Sequence, residues 1–82
     1  MYMHLGNNCV IPTKDIIAIL NVEEMSEDIQ DIIEVARLEK KFTNISDKGK
    51  EKALVICDNQ VFVSPISSLT LYRRAGNPFK EV

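Results

Sequence analysis

Apolar and polar positions change period several times along the chain, and each change marks an element. Met3 to Gly6 and Cys9 to Pro12 are short strand-like segments separated by Asn7-Asn8. Paired asparagines tolerate the positive φ of a two-residue hairpin turn, so these segments predict a small opening hairpin. Pro12 lacks a ladder donor, which suits the end of an edge strand, and Thr13-Lys14-Asp15 reads as a turn. The β-branched run from Ile16 to Val22 predicts a largely buried strand, with a short helix as the alternative.

The period then becomes helical. Ser26 is a favourable N-cap with Glu27 and Asp28 in the first turn, and a helix is predicted from about Glu27 to Phe42. Ile29, Ile32, Ile33 and Ala36 form its apolar stripe, widened by Val35, Leu38 and Phe42. Thr43 to Lys52 holds turn formers and charges around Ile45 and is expected to be an exposed, mobile loop. Ala53 to Cys57, the pair Asp58-Asn59, and Gln60 to Ser64 predict a second hairpin whose turn residues favour positive φ. Beyond Pro65, Ser67 or Ser68 caps a short helix through Leu69, Leu71 and Tyr72 to Ala75, and Gly76 stops it. The order strand, strand, strand, helix, strand, strand, helix is that of an α+β domain with a small, mainly antiparallel sheet. Residues 1–76 are expected to form a single domain and residues 77–82 a C-terminal tail.

An 82-residue chain has a thin core, and domains of this size often draw on disulfides, a metal or a partner surface. Cys9 and Cys57 are the two cysteines and lie in strand-like runs, so reduced thiols are expected. The amino terminus has neither the basic start nor the apolar stretch of a secretory signal, which places the protein in the cytoplasm. The longest apolar runs, Ile16 to Leu20 and Ala53 to Cys57, have five residues each. A bilayer span needs about 20, so no membrane segment is expected. Self-association is the supplement left, and an oligomer is expected.

Net charge is −2 and the pI about 5.3, not the strongly basic balance that announces a nucleic-acid binder. The distribution is polar, however. Glu23, Glu24, Glu27, Asp28, Asp31 and Glu34 form an acidic stretch, and Arg37, Lys40, Lys41, Lys48, Lys50 and Lys52 follow against Glu39, Asp47 and Glu51. Acids early and bases late in a helix complement its macrodipole, which explains Arg37, Lys40 and Lys41 without any ligand. The loop lysines need another account.

Chemistry for catalysis is sparse, and the chain is expected not to be an enzyme. His4 is the only histidine, and Cys9, Cys57 and His4 lack a metal-ligand spacing. Gly6, Gly49 and Gly76 stand alone rather than in a phosphate loop, and the acids from Glu23 to Asp28 lack the alternation of a calcium loop. Neither metal, cofactor nor small-molecule substrate is expected. Binding is better supplied. Lys48, Lys50 and Lys52 alternate, so an extended stretch would aim them to one side as a comb for phosphates. Lys14 adds a charge before the third strand. Arg73 and Arg74, ending the last helix, suit either phosphates or the acidic pole of a neighbouring copy, as oligomer-interface candidates.

His4-Leu5-Gly6, the segment Pro12-Thr13-Lys14-Asp15-Ile16-Ile17-Ala18-Ile19, and Ser64-Pro65-Ile66-Ser67-Ser68-Leu69-Thr70-Leu71-Tyr72-Arg73-Arg74-Ala75 occur in an order and spacing that resembles the bacterial extracellular-matrix regulatory family, in its RemB-type branch. The resemblance spans nearly the whole chain. It implies a sheet-and-helix protein; the RemA branch assembles into rings, binds upstream DNA and activates biofilm-matrix operons. DNA-contacting arginines of that branch fall at positions resembling Lys14 and the segment Gly49-Lys50-Glu51-Lys52. Lysine offers a point charge in place of a bidentate fork, and Glu51 adds a negative charge, so weaker phosphate affinity is implied.

Two functions compete. One is a ring-forming homo-oligomeric transcriptional regulator that contacts double-stranded DNA through Lys14, Lys48, Lys50 and Lys52. The other is an oligomeric adaptor whose acidic pole meets Arg73 and Arg74 of the next copy. An RNA role would want aromatics interleaved with bases, and Tyr2, Phe62 and Tyr72 do not form that pattern.

Overall fold

The computed structural model describes residues 1–76, and the tail expected at residues 77–82 lies outside the described residues. The elements run β1 (Tyr2–Gly6), β2 (Cys9–Pro12), a 3-10 turn (Thr13–Asp15), β3 (Ile16–Asn21), α1 (Glu27–Leu38), β4 (Phe42–Asn44), β5 (Ala53–Cys57), β6 (Val61–Ser64) and α2 (Ser68–Arg74). β1 and β2 form an antiparallel two-stranded sheet. The other strands form a four-stranded sheet in the order β3-β5-β6-β4, antiparallel except for the β4–β6 pair.

Side-chain alternation along β5 divides the molecule into layers. Ala53, Val55 and Cys57 join Met3, Leu5, Ile11, Ile19 and Leu71 in one core, so the β1–β2 hairpin and α2 cover this face of the sheet. Leu54 turns the other way into a second core with Val22 and Val63, packed by Ile29, Ile32, Ile33 and Phe42 from α1 and β4. Leu54 and Val55 are fully buried. Each such side chain is worth roughly 1.5–3 kcal/mol of burial, which fixes β5 as the centre of the fold.

Local signals work as read at several places. Asn7 and Asn8 have φ of 47° and 66°, the left-handed pair that lets β1 turn into β2. Ser26 Oγ accepts the Ile29 N–H at 3.2 Å, and Ser67 Oγ accepts the Thr70 N–H at 3.2 Å, so both helices carry a side-chain N-cap. Gly76, at φ +72°, follows the C-cap of α2.

Four expectations are corrected. The first helix stops at Leu38 rather than Phe42. Lys40 adopts φ +60°, its N–H bonds the Arg37 carbonyl at 3.0 Å, and the Lys41 N–H bonds the Ala36 carbonyl at 2.8 Å. That is a Schellman closure with lysine where glycine is usual. It frees Phe42–Asn44 to form β4, parallel to Val61–Val63 of β6, so the strand order gains a member and the loop starts later than Thr43. The second hairpin forms in the expected place, but neither Asp58 nor Asn59 takes a positive φ. Asp58 N–H is directed to the Asp15 carbonyl at 3.2 Å, and Cys57 N–H to that of Gln60 at 2.8 Å. Finally, Lys48 and Gly49 lie in a turn, with Gly49 at φ +82°, so Lys48, Lys50 and Lys52 do not form one extended comb.

Candidate nucleic-acid interface

The basic loop is anchored at several points. Asn44 Oδ1 accepts from Ser46 N–H at 2.9 Å and from its hydroxyl at 2.7 Å, which turns the chain out of β4. Asn7 Nδ2 donates to the Ile45 carbonyl, linking the opening hairpin turn to the loop. Lys50 N–H then bonds the Asp47 carbonyl at 2.9 Å, and Lys52 N–H bonds the Ser64 carbonyl at 3.0 Å while its own carbonyl accepts from Val22 at 3.1 Å. Lys48, Lys50 and Lys52 are all exposed on this frame. Glu51, by contrast, is half-buried and lines a cleft on the α1 side with Arg37 and Phe42. The expected mobile loop is thus a set of exposed ammonium groups on a tethered backbone.

Lys14 is exposed in the 3-10 turn that starts from Pro12 at φ −66°. This turn enters β3, whereas the Lys52 end of the loop meets Val22 just beyond β3. Ile16 pairs with Cys57 and Asn21 with Ala53, so Lys14 and Lys52 stand at opposite ends of the strand. Five residue steps at about 3.3 Å put some 17 Å of strand between them. One copy does not bring the two together. Local charge ranks them as well. Lys48, Lys50 and Lys52 against Asp47 and Glu51 leave +1, while Lys14 with Asp15 and the hydrogen-bonded Asp58 leaves −1.

Arg74 Nη1 donates to the His4 carbonyl at 3.0 Å, tying α2 to β1. Arg73 is exposed on the same helix. Arg37 lies over the Phe42 ring, 5.0 Å from its centroid, and packs the end of α1 on β4. Tyr72 hydroxyl donates to the Ile19 carbonyl at 2.7 Å, so it is bound to the sheet.

Burial pushes the Cys9 thiol up from its ordinary value. Burial first, then the carboxylates of Asp15 and Asp58 and the Cys9 thiol, pushes Cys57 up to about 11. Both cysteines are free, and neither environment favours a thiolate. Among the described residues no group of three or more His, Cys, Asp and Glu is placed to hold a metal ion. No described helix is long and apolar enough to cross a membrane.

The bracing residues Asn7 and Ser64 escape sequence reasoning, because their partners Ile45 and Leu5 lie 38 and 59 positions away. No local pattern signals such pairs.

The profile described as RemA-like, extracellular matrix regulatory protein A-like, matches residues 2–75. The chain is also 33% identical over 80 residues to Extracellular matrix regulatory protein B of Bacillus subtilis (strain 168), covering 98% of this chain and 96% of that one. With a family match over nearly every described residue, the chain belongs to the RemA-like family of extracellular matrix regulatory proteins.

Proposed function

We propose that the chain is a cytoplasmic, DNA-binding transcriptional regulator of extracellular-matrix genes that works as a homo-oligomer. The observation that carries this reading is the tethered loop with Lys48, Lys50 and Lys52 exposed on it. Lysines held on fixed backbone meet phosphates with less ordering cost than lysines on a disordered segment. A local excess of one positive charge per loop is weak by itself. Repetition in a homo-oligomer multiplies it, so affinity comes from many phosphate contacts acting together rather than from base reading. Lys14 is a secondary contact, since two carboxylates accompany it at the other end of β3.

The test is binding to duplex DNA over a salt series, with solution mass measured on the same sample. Log affinity should fall with log salt by roughly 0.9 per phosphate contacted. Lys50→Glu with Lys52→Glu should abolish retention and leave the mass unchanged, while Lys14→Glu should weaken binding less. Retention unchanged in the double variant would remove the loop as the contact. A second reading, an oligomeric adaptor without DNA, draws on Arg73 and on the exposed Val35 and Leu38 of α1, and absence of DNA affinity at low salt would favour it.

A further inference from the structure

The two outer layers of the molecule carry opposite charge, and both carry exposed apolar side chains. On the α1 side, Glu23, Glu24, Glu27, Asp28, Asp31, Glu34 and Glu39 outnumber Arg37, Lys40 and Lys41 in the stretch from Glu23 to Lys41. Val35 is 53% and Leu38 76% exposed there. Beside them an open groove of about 360 Å³ is lined by Ile32, Val35, Ala36 and Val61, with Asp31, Glu39 and Lys41, the last two ion-paired at 3.7 Å. The groove exists because α1 stops at Leu38 and leaves the Val61 end of its sheet face incompletely covered. On the opposite layer, residues 1–14 and 65–76 hold Lys14, Arg73 and Arg74 and no Asp or Glu. Tyr2 is 70%, Val10 53% and Leu69 57% exposed in this layer. Leu69 and Arg73 are one helical turn apart on α2, so an apolar and a cationic group stand on one face.

We propose that a second copy of this chain covers the α1 groove with its α2 face, in a head-to-tail contact that places Leu69 and Arg73 of one copy against Val35, Leu38, Asp31 and Glu39 of the next. The proposal deepens the homo-oligomer part of the reading above by giving its interface. Charge decides the orientation. A two-fold contact through α1 would set seven carboxylates against the same seven, and one through α2 would set arginines against arginines. Only unlike faces satisfy both the apolar and the ionic groups. These faces lie on opposite sides of the sheet, so the contact leaves each copy with one face still open, and assembly continues as a ring where the rotation between copies closes and as an open chain where it does not.

The experiment uses two double variants at exposed positions. Val35→Lys with Leu38→Lys blocks the acidic face, and Leu69→Glu with Arg73→Glu blocks the basic one. Circular dichroism checks that each is folded. The unaltered protein should form an oligomer that shrinks as salt is raised. Each variant alone should fall to the 9.3 kDa of one chain. Mixed in equal amounts, they should recover a species of twice that mass and nothing larger, because only one intact pair of faces remains. Failure of the mixture to associate, or an oligomer persisting in either variant, overturns the interface while leaving self-association and DNA binding standing. A wild-type protein that is monomeric at assay concentration overturns the interface and the homo-oligomer together.

Discussion

Ser64 is the buried polar side chain on which three parts of the molecule meet, and Ser64→Ala should be costly out of proportion to the single oxygen removed. Leu5 sits at the irregularity in the β1–β2 register between His4 and Gly6 and has no partner on β2. Ser64 Oγ supplies one, donating to the Leu5 carbonyl at 2.7 Å, and it accepts the Ile66 N–H at 3.0 Å. Ser64 and Leu5 are both fully buried, so water cannot take over the Leu5 bond without opening the core. Two hydrogen bonds are worth about 1 kcal/mol each, and an unsatisfied buried carbonyl adds about 1–3 kcal/mol. The expected loss is therefore roughly 3–5 kcal/mol, out of a total stability on the order of 5–15 kcal/mol for a domain. At about 4–8 °C per kcal/mol for this size, the melting temperature should fall by roughly 12–40 °C. Urea and thermal unfolding followed by circular dichroism at one fixed protein concentration would measure it, since an oligomer's stability depends on concentration. Ser67→Ala, which loses only a cap and a side-chain contact, is the control and should cost about 1 kcal/mol. A Ser64→Ala loss below about 0.5 kcal/mol would refute the argument that this hydroxyl completes the bulged strand.

Two further outcomes follow from local geometry. Lys40 is held at φ +60° with no side-chain hydrogen bond or ion pair among the described residues to offset the strain, so Lys40→Gly should raise stability by about 1 kcal/mol, read as a higher urea midpoint with an unchanged slope. Cys57 should stay protonated at neutral pH and react slowly with thiol reagents until the protein unfolds. Its folded value of about 11 lies above the ordinary 9.0, so its contribution is complete below the ordinary value and is lost as pH rises from there toward 11. Urea midpoints across that range should fall more steeply for the wild type than for Cys57→Val, and parallel curves would contradict the assignment.

What was legible in the sequence was what neighbouring residues decide among themselves. Asn7-Asn8, Ser26 and the alternating run from Ala53 to Ser64 set their own dihedrals, caps and faces. The end of α1 was not legible, because Lys40 occupies a position where glycine would have announced the stop. β4 was hidden for a related reason. Phe42 extends the apolar stripe of the helix, and its strand identity depends on pairing with Val61, 19 positions later. At Lys48 the signal was present in Asp47-Lys48-Gly49, a turn tripeptide, and the alternation of lysines outweighed it in the reading. The site lysines were visible as charges, but their grouping was not, since the separation of Lys14 from Lys52 is a property of the β3–β5 register.

That register also constrains how DNA would be met under the proposed function. The proposed head-to-tail stacking through α1 and α2 would run along the normal of the four-stranded sheet, with the strands lying across it. Within each copy the Lys48–Lys52 loop and the Lys14 turn sit at opposite ends of β3, so in the proposed stack they would face different sides. A rigid duplex follows one side at a time. Under the proposed function, the side carrying three lysines per copy would be the better phosphate rim than the side where Lys14 is accompanied by Asp15 and Asp58. The acidic α1 layers, which would repel DNA from an isolated copy, would be covered by the next copy's α2 in the same arrangement. The proposed assembly would therefore do two things for binding: it would add cations along one rim, and it would bury carboxylates that an isolated copy exposes.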